Sequence, residues 1–219
     1  MPKTVASAAV VPQKPPKPRD RGTDFGVNGN QCRDESVDTT MQPGAISNTL
    51  HGAMSSRPTP EPIRDAEESV WDYPRPPRLE AVAKCIEVMF GGALIARTHL
   101  AYRVLETSHP PNYYLPARSF IDGAIVIGDA TSYCEWKGRA SYYTIRGGDE
   151  SAINAGWSYE TPSAAFAEIR GHIALYADRV DACYVDGELV TAQPGGFYGG
   201  WITSNIKGPF KGVPGSRGW

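Results

Sequence analysis

Only four cysteines occur in the 219 residues, and none forms a CxxC pair. That spacing excludes a closed structural zinc site of the usual kind, which draws its ligands from closely spaced Cys or His pairs. Cys32, Cys85, Cys134 and Cys183 read as free thiols rather than a disulfide framework, which suits an expected cytoplasmic protein. No apolar run approaches the roughly 18 residues of a spanning helix. The N-terminal MPKTVASAAVVPQKPPKPRD has only a short apolar stretch, broken by Pro12. Neither a membrane partner nor a signal peptide is expected. Basic excess is missing too: 22 Lys and Arg against 24 Asp and Glu give a formal net charge of -2 and a pI near 6.1. Such a balance argues against nucleic acid as a partner. The glycines around Asn205, Lys207 and Lys211 match neither a Walker loop nor a dinucleotide fingerprint. No cofactor is therefore expected, and a carboxylated substrate is a better guess than a nucleotide.

Sustained periodicity is absent from residues 1–67, where Pro15, Pro16, Pro18 and scattered glycines favour extended or irregular chain. This third reads as a mostly disordered arm, or one that wraps the domain or a neighbouring subunit, so that a homo-oligomer is compatible with it. From residue 68 to 219 the pattern is that of one mainly β domain. Cys85 to Phe90 and Ala93 to Arg97 flank a Gly91-Gly92 turn, Ala101 to Glu106 alternates, and Asn112 to Leu115 is extended between prolines. Phe120 to Ile127 is an apolar run interrupted at Asp122-Gly123, and Ser141 to Arg146 a further strand. Asp186-Gly187 joins two short strands as a hairpin. One helix is expected from Thr161, with Pro162 at its first position and Phe166, Ile169, Ile173 and Tyr176 at intervals of three and four. It would cover one face of the sheet. The glycine-rich tail from Pro194, with Phe197, Tyr198, Trp201, Phe210 and Trp219, reads as a long structured loop packed across the domain.

Two stretches carry the candidate chemistry. In ETSHPPNYY, His109 follows a strand and precedes two prolines, so it can serve as an acid or base near neutral pH with Glu106 as partner, or simply hydrogen-bond its loop. In TSYCEWKGRASYY, Cys134 is a nucleophile only if a cation such as Lys137 lowers its pKa. Strict alternation puts Cys134 and Trp136 on one side and Glu135 and Lys137 on the other, unless the chain turns near Gly138. Packing is the slightly favoured role for Cys134. Nothing in the spacing of Glu106, His109 and Cys134 specifies a metal, so none is expected. Of Tyr142 and Tyr143, one is expected in the core and the other free for a ligand.

WDYPRPPR, ETSHPPNYY, CEWKGRASYY, AGWSY, DRVDACYVDGE and GGFYGGWITSNIKGPFKG, in that order, resemble the family known as domain of unknown function 427 over residues 68–219. The resemblance implies a compact antiparallel domain of β-tent shape with one covering α-helix. It also implies Glu106, His109, Cys134 and Lys137 as candidate catalytic residues, with Tyr113, Tyr143, Trp157, Tyr159, Tyr198 and Trp201 toward a substrate. Family members commonly have proline where this chain has Glu135, which restores an N–H and adds charge. The leading expectation is a cofactor-independent enzyme acting on a small organic molecule by proton transfer, an isomerase, cyclase or lyase of specialised biosynthesis. The alternative is a non-catalytic module that binds a small ligand.

Overall fold

Fifteen strands build the part of the chain that the computed structural model describes, residues 57–219. In chain order they are β1 (Glu68–Ser69), β2 (Arg78–Val82), β3 (Ile86–Phe90), β4 (Ala93–Thr98), β5 (Ala101–Leu105), β6 (Asn112–Pro116), β7 (Ile125–Cys134) and β8 (Gly138–Gly147). There follow β9 (Glu150–Ser158), β10 (His172–Leu175), β11 (Ala182–Val185), β12 (Glu188–Leu189), β13 (Thr191–Ala192), β14 (Trp201–Ile202) and β15 (Ile206–Lys207). The arm expected over 1–67 lies, for residues 1–56, outside the described residues.

An antiparallel sheet of seven strands, in the order β2-β5-β6-β10-β9-β8-β7, is the main layer. A second antiparallel sheet, β12-β11-β3-β4, packs on one of its faces. Alternation decides which side chains meet there. Ile86, Val88 and Phe90 of β3 and Cys183 and Val185 of β11 join Tyr113 and Leu115 of β6 and Ile173 and Leu175 of β10 in the larger core. Each aliphatic side chain buried in this way stabilises the fold by about 1.5–3 kcal/mol. Tyr114, Ala174, Trp157 and Tyr159 point the other way and form a second core with Phe166, Ile169 and Tyr176. A third cluster ties the chain ends of the domain together, with Val70, Trp71 and Tyr73 against Leu105 and Ile206, and Trp71 Nε1 donating to the Pro209 carbonyl at 3.0 Å. The tail from Pro194 packs in part, with Trp201 and Ile206 buried and Phe210 and Trp219 against the third cluster, whereas Phe197 is 76% exposed.

The helix expected from Thr161 to Tyr176 is corrected in extent and in kind. Helical geometry is confined to the 3-10 segment Ala164–Ile169, itself kinked at Phe166. Gly171, at φ +70°, then turns the chain into β10, the strand between β6 and β9. The spacing of Phe166 and Ile169 was helical in origin, whereas Ile173 and Tyr176 fall on opposite faces of an extended segment. The architecture is mainly β, in open sheets with short helical turns among the described residues.

The two sheets come into close backbone contact where the β3–β4 turn meets the end of β8. A Cβ added to Gly91, at φ +59°, would stand 1.8 Å from the Gly147 carbonyl oxygen, while one added to Gly92, at φ +74°, would meet nothing within 4 Å. Both alanine variants would carry the left-handed backbone cost of about 1–2 kcal/mol, and only Gly91→Ala adds a backbone clash. Gly91→Ala is expected to lose more than about 3 kcal/mol in urea unfolding and Gly92→Ala about 1–2 kcal/mol. Equal midpoints for the two variants would show that the sheets do not depend on this approach.

Candidate functional site

The segment from Thr131 to Tyr143 is a hairpin. Cys134 at the end of β7 pairs with Gly138 at the start of β8, leaving Glu135, Trp136 and Lys137 as its loop. Gly138 has φ +96°, a conformation that side chains disfavour. Ser163 pins the loop from outside: its N–H donates to the Lys137 carbonyl at 3.2 Å and its Oγ–H to the Trp136 carbonyl at 2.6 Å. With the backbone held there, Lys137 turns inward and is only 6% exposed. Its Nζ lies 5.8 Å from the Tyr159 ring centre and 5.5 Å from that of Phe166. Ring faces hold a cation by about 0.5–2 kcal/mol, more as water is excluded. The segment expected to be a covering helix is therefore what seats this lysine.

His109 sits on the loop after β5. The chain there is tied from both ends of the domain, by Ser108 N–H donating to the Val70 carbonyl at 2.9 Å and Lys211 N–H donating to the Ser108 carbonyl at 2.8 Å. The imidazole is 9% exposed and meets Tyr198 edge to face at 4.5 Å. Gln193 fixes its tautomer. The Gln193 Oε1 accepts from Gly200 N–H at 3.1 Å, so its Nε2 is the donating end, giving one hydrogen to the Lys211 carbonyl at 2.8 Å and one to His109 Nδ1 at 3.1 Å. Nδ1 is thereby an acceptor, and the ring proton resides on Nε2. Burial above all, then the charges of Lys211, Arg75 and Lys137, pushes His109 down to about 4. At neutral pH it is an uncharged ring with one N–H to offer.

Hairpin and histidine loop face a common pocket of about 430 Å³. Tyr142, Trp157, Tyr159 and Tyr176 form its aromatic wall, and Phe197 and Tyr198 of the glycine-rich loop complete it. The wall is braced from behind: Trp157 and Tyr176 rings lie 4.7 Å apart, and Tyr114, fully buried, accepts from Trp157 Nε1 at 3.4 Å. Burial raises the hydroxyls of Tyr114, Tyr159 and Tyr176 well above the usual phenol range, so all three remain protonated. Arg75 reaches in between two carboxylates, 3.4 Å from Glu106 and 3.5 Å from Glu135. Lys211 is 9% exposed, its ammonium donating to the Trp219 backbone oxygen at 2.5 Å, and burial lowers its pKa. Trp136 also lines the pocket, and its buried Nε1–H has no acceptor among the described residues.

Of the residues singled out from sequence, Glu106, His109, Cys134, Lys137, Trp157, Tyr159 and Tyr198 line this pocket. Three others lie elsewhere. Tyr113 shares the face of Leu115 and packs 5.2 Å from Trp201 in the larger core, where burial lifts its hydroxyl to about 12. Trp201 is fully enclosed and donates from Nε1 to the Leu175 carbonyl at 3.0 Å. Tyr143 is directed away from Tyr142 by alternation and donates to Glu160 at 2.9 Å. Lys207 pairs with Glu67 at 3.2 Å and Asn205 accepts from Thr203 Oγ1, so of the tail's polar trio only Lys211 faces the pocket. Cys134 packs into the second core. Among the described residues no three His, Cys, Asp or Glu side chains gather as metal ligands. Sequence reasoning missed Arg75, Gln193 and Tyr176. Arg75 stood inside WDYPRPPR without a role, Gln193 had no local signal, and Tyr176 was lost to the supposed helix.

The histidine makes a pH prediction. Its folded pKa of about 4 lies below the ordinary 6.5, so protons bind the unfolded chain more tightly between those values. Stability is full above about pH 6.5 and falls by up to about 3 kcal/mol as pH drops toward 4. Urea midpoints measured at several pH values should show this slope in the wild type and lose that share of it in His109→Gln. A nuclear magnetic resonance titration placing His109 near 6.5 would contradict the assignment.

No curated protein matches the chain. Among the described residues no helix is long and apolar enough to cross a membrane. The stretch from β2 to the β11–β12 turn, residues 78–186, matches the model of the family described as a domain of unknown function (DUF427).

Proposed function

We propose that the pocket is the active site of an enzyme that moves a proton on a small organic molecule, in an isomerisation, cyclisation or elimination that needs no redox cofactor. The observation that carries this reading is that Glu106 and His109, from the turn after β5, and Lys137, from the β7–β8 hairpin, line one pocket among aromatic walls. Their states divide the roles. His109 has its Nδ1 occupied by Gln193 and its proton on Nε2, so it donates to an oxygen rather than abstracting a proton. Of the acid and base roles expected for His109 this keeps the acid's, and the base is Glu106, the carboxylate nearest to it in the chain. Glu106 takes a proton from a carbon next to a carbonyl; the electron pair moves onto the carbonyl oxygen, where His109 Nε2–H and the Lys137 ammonium stabilise it. Return of the proton to another carbon completes an isomerisation, and departure of a β-substituent completes an elimination. Rigid ring walls hold the substrate against these groups and exclude water.

Deuterium exchange tests the reading without knowledge of the natural product. Small carbonyl compounds incubated with the protein in D2O should exchange a carbon-bound proton, followed by nuclear magnetic resonance. Glu106→Gln should slow exchange by about 10²-fold or more, and Lys137→Met should slow it while the fold is retained. Ligands that bind tightly yet never exchange would replace the enzyme with a binding module.

A further inference from the structure

The pocket holds more positive charge than its own carboxylates answer. Among the lining side chains Arg75, Lys137 and Lys211 face Glu106 and Glu135, and His109 is neutral, so the side chains alone leave one positive charge over. The pairing is uneven. Arg75 is engaged by both carboxylates, whereas neither Lys137 nor Lys211 has a side-chain carboxylate as partner among the described residues, and Lys211 is held by the Trp219 backbone oxygen. Lys137 rests on ring faces, which supply attraction but no hydrogen-bond acceptor. Lys211 spends one N–H on the Trp219 backbone oxygen and has two more. Buried cations without partners are costly, and a ligand that completes them recovers that cost on binding.

Three further features narrow the ligand. His109, with an uncharged Nε2–H suited to an acceptor oxygen, and Trp136, whose buried Nε1–H has no partner among the described residues, both line the same pocket. A single surplus positive charge matches a monoanion, while a phosphate dianion would overcompensate it and face Glu106 and Glu135. The wall of Trp157, Tyr159, Tyr142 and Tyr176 offers broad ring surface to a flat partner. We infer that the pocket takes an aromatic or otherwise planar monocarboxylic acid, its carboxylate held by Lys137 and Lys211 and its ring lying on the tyrosine and tryptophan walls. The inference rests on the reading of this pocket as a small-molecule site and specifies what enters it.

Binding by the full chain can be followed through tryptophan fluorescence and calorimetry with trans-cinnamate, 4-hydroxycinnamate, trans-cinnamamide, acetate and inorganic phosphate. Charged hydrogen bonds to a carboxylate predict that cinnamate binds about 10- to 100-fold more tightly than its neutral amide. Cinnamate should also outcompete acetate, which lacks the ring, and phosphate. Lys137→Met and Lys211→Met should each bring cinnamate toward the amide's affinity while leaving the amide nearly unchanged, which also reports an intact pocket. Lys137→Arg should keep part of the preference if a misfolded methionine variant obscures the result. Equal affinity for acid and amide, tighter binding of phosphate, or no binding of either cinnamate at millimolar concentration would each overturn the inference. Its fate separates from that of the enzyme: acid-selective binding with no deuterium exchange retains the inference and ends the proton-transfer reading. Glu106-dependent exchange confined to uncharged substrates does the reverse.

Discussion

The seven-stranded sheet must be covered on both faces, and that requirement shapes everything the protein offers to a ligand. On β6, Tyr113 and Leu115 go to the core shared with the smaller sheet and Tyr114 goes to the other side; on β10, Ile173 and Leu175 part from Ala174 in the same way. A slip of one residue would exchange the two sets and bury the wrong side chains in each layer. Among the described residues the second core has no sheet above it. It is roofed instead by Phe166 and Ile169 of the short 3-10 segment, and its edge opens as the pocket. Trp157, Tyr159 and Tyr176 are consequently core residues on one side and pocket wall on the other. Rings packed this way lose little freedom when a ligand arrives, because their ordering cost is already met in folding.

Electrostatics in the pocket follow from the same economy of cover. Lys137 rests on rings of the second core and forms no carboxylate ion pair among the described residues, and Lys211 is drawn in by the C-terminal segment that packs over the third cluster. Their charges help to keep His109 neutral, after burial has done most of that work. The coupling runs both ways: an anion that neutralises either lysine removes part of the repulsion and makes protonation of the histidine easier. The proposed proton donor and anion site, sharing one low-dielectric space, would thus be coupled by charge alone, without any conformational change.

Much of the sheet was legible in sequence, because period-two alternation and turn residues act locally. Gly91-Gly92 and Asp186-Gly187 closed hairpins where their residues said they would, and the turn between Cys134 and Gly138 resolved the parity problem that alternation had posed. The helix failed for a physical reason that a window of spacings hides. Gly171 sits at positive φ between two segments whose apolar residues, added together, imitate a helical stripe. Membership of the pocket was legible where parity sufficed, as with Trp157 and Tyr159, which share a face. It was not legible for Tyr113, Tyr143 and Trp201, since no local rule tells which face of a doubly covered sheet opens to solvent.

The division between the matched stretch and its flanks bears on mechanism. Residues 78–186 contain Glu106, His109, the lysine hairpin and most of the aromatic wall, whereas Arg75, Gln193, Phe197, Tyr198 and Lys211 come from outside it. The histidine's tautomer is set by Gln193, and two of the three charges that hold it neutral belong to Arg75 and Lys211. A fragment limited to the matched stretch would therefore keep the imidazole and lose what fixes its state. Nδ1 would have no assigned donor, the Ser108 carbonyl no Lys211 N–H, and the ring no Tyr198 edge. The chemistry proposed for this pocket is consequently a property of residues 70–219 taken together, in which the central strands supply reactive groups and the flanking segments decide their protonation and the charge of what they meet.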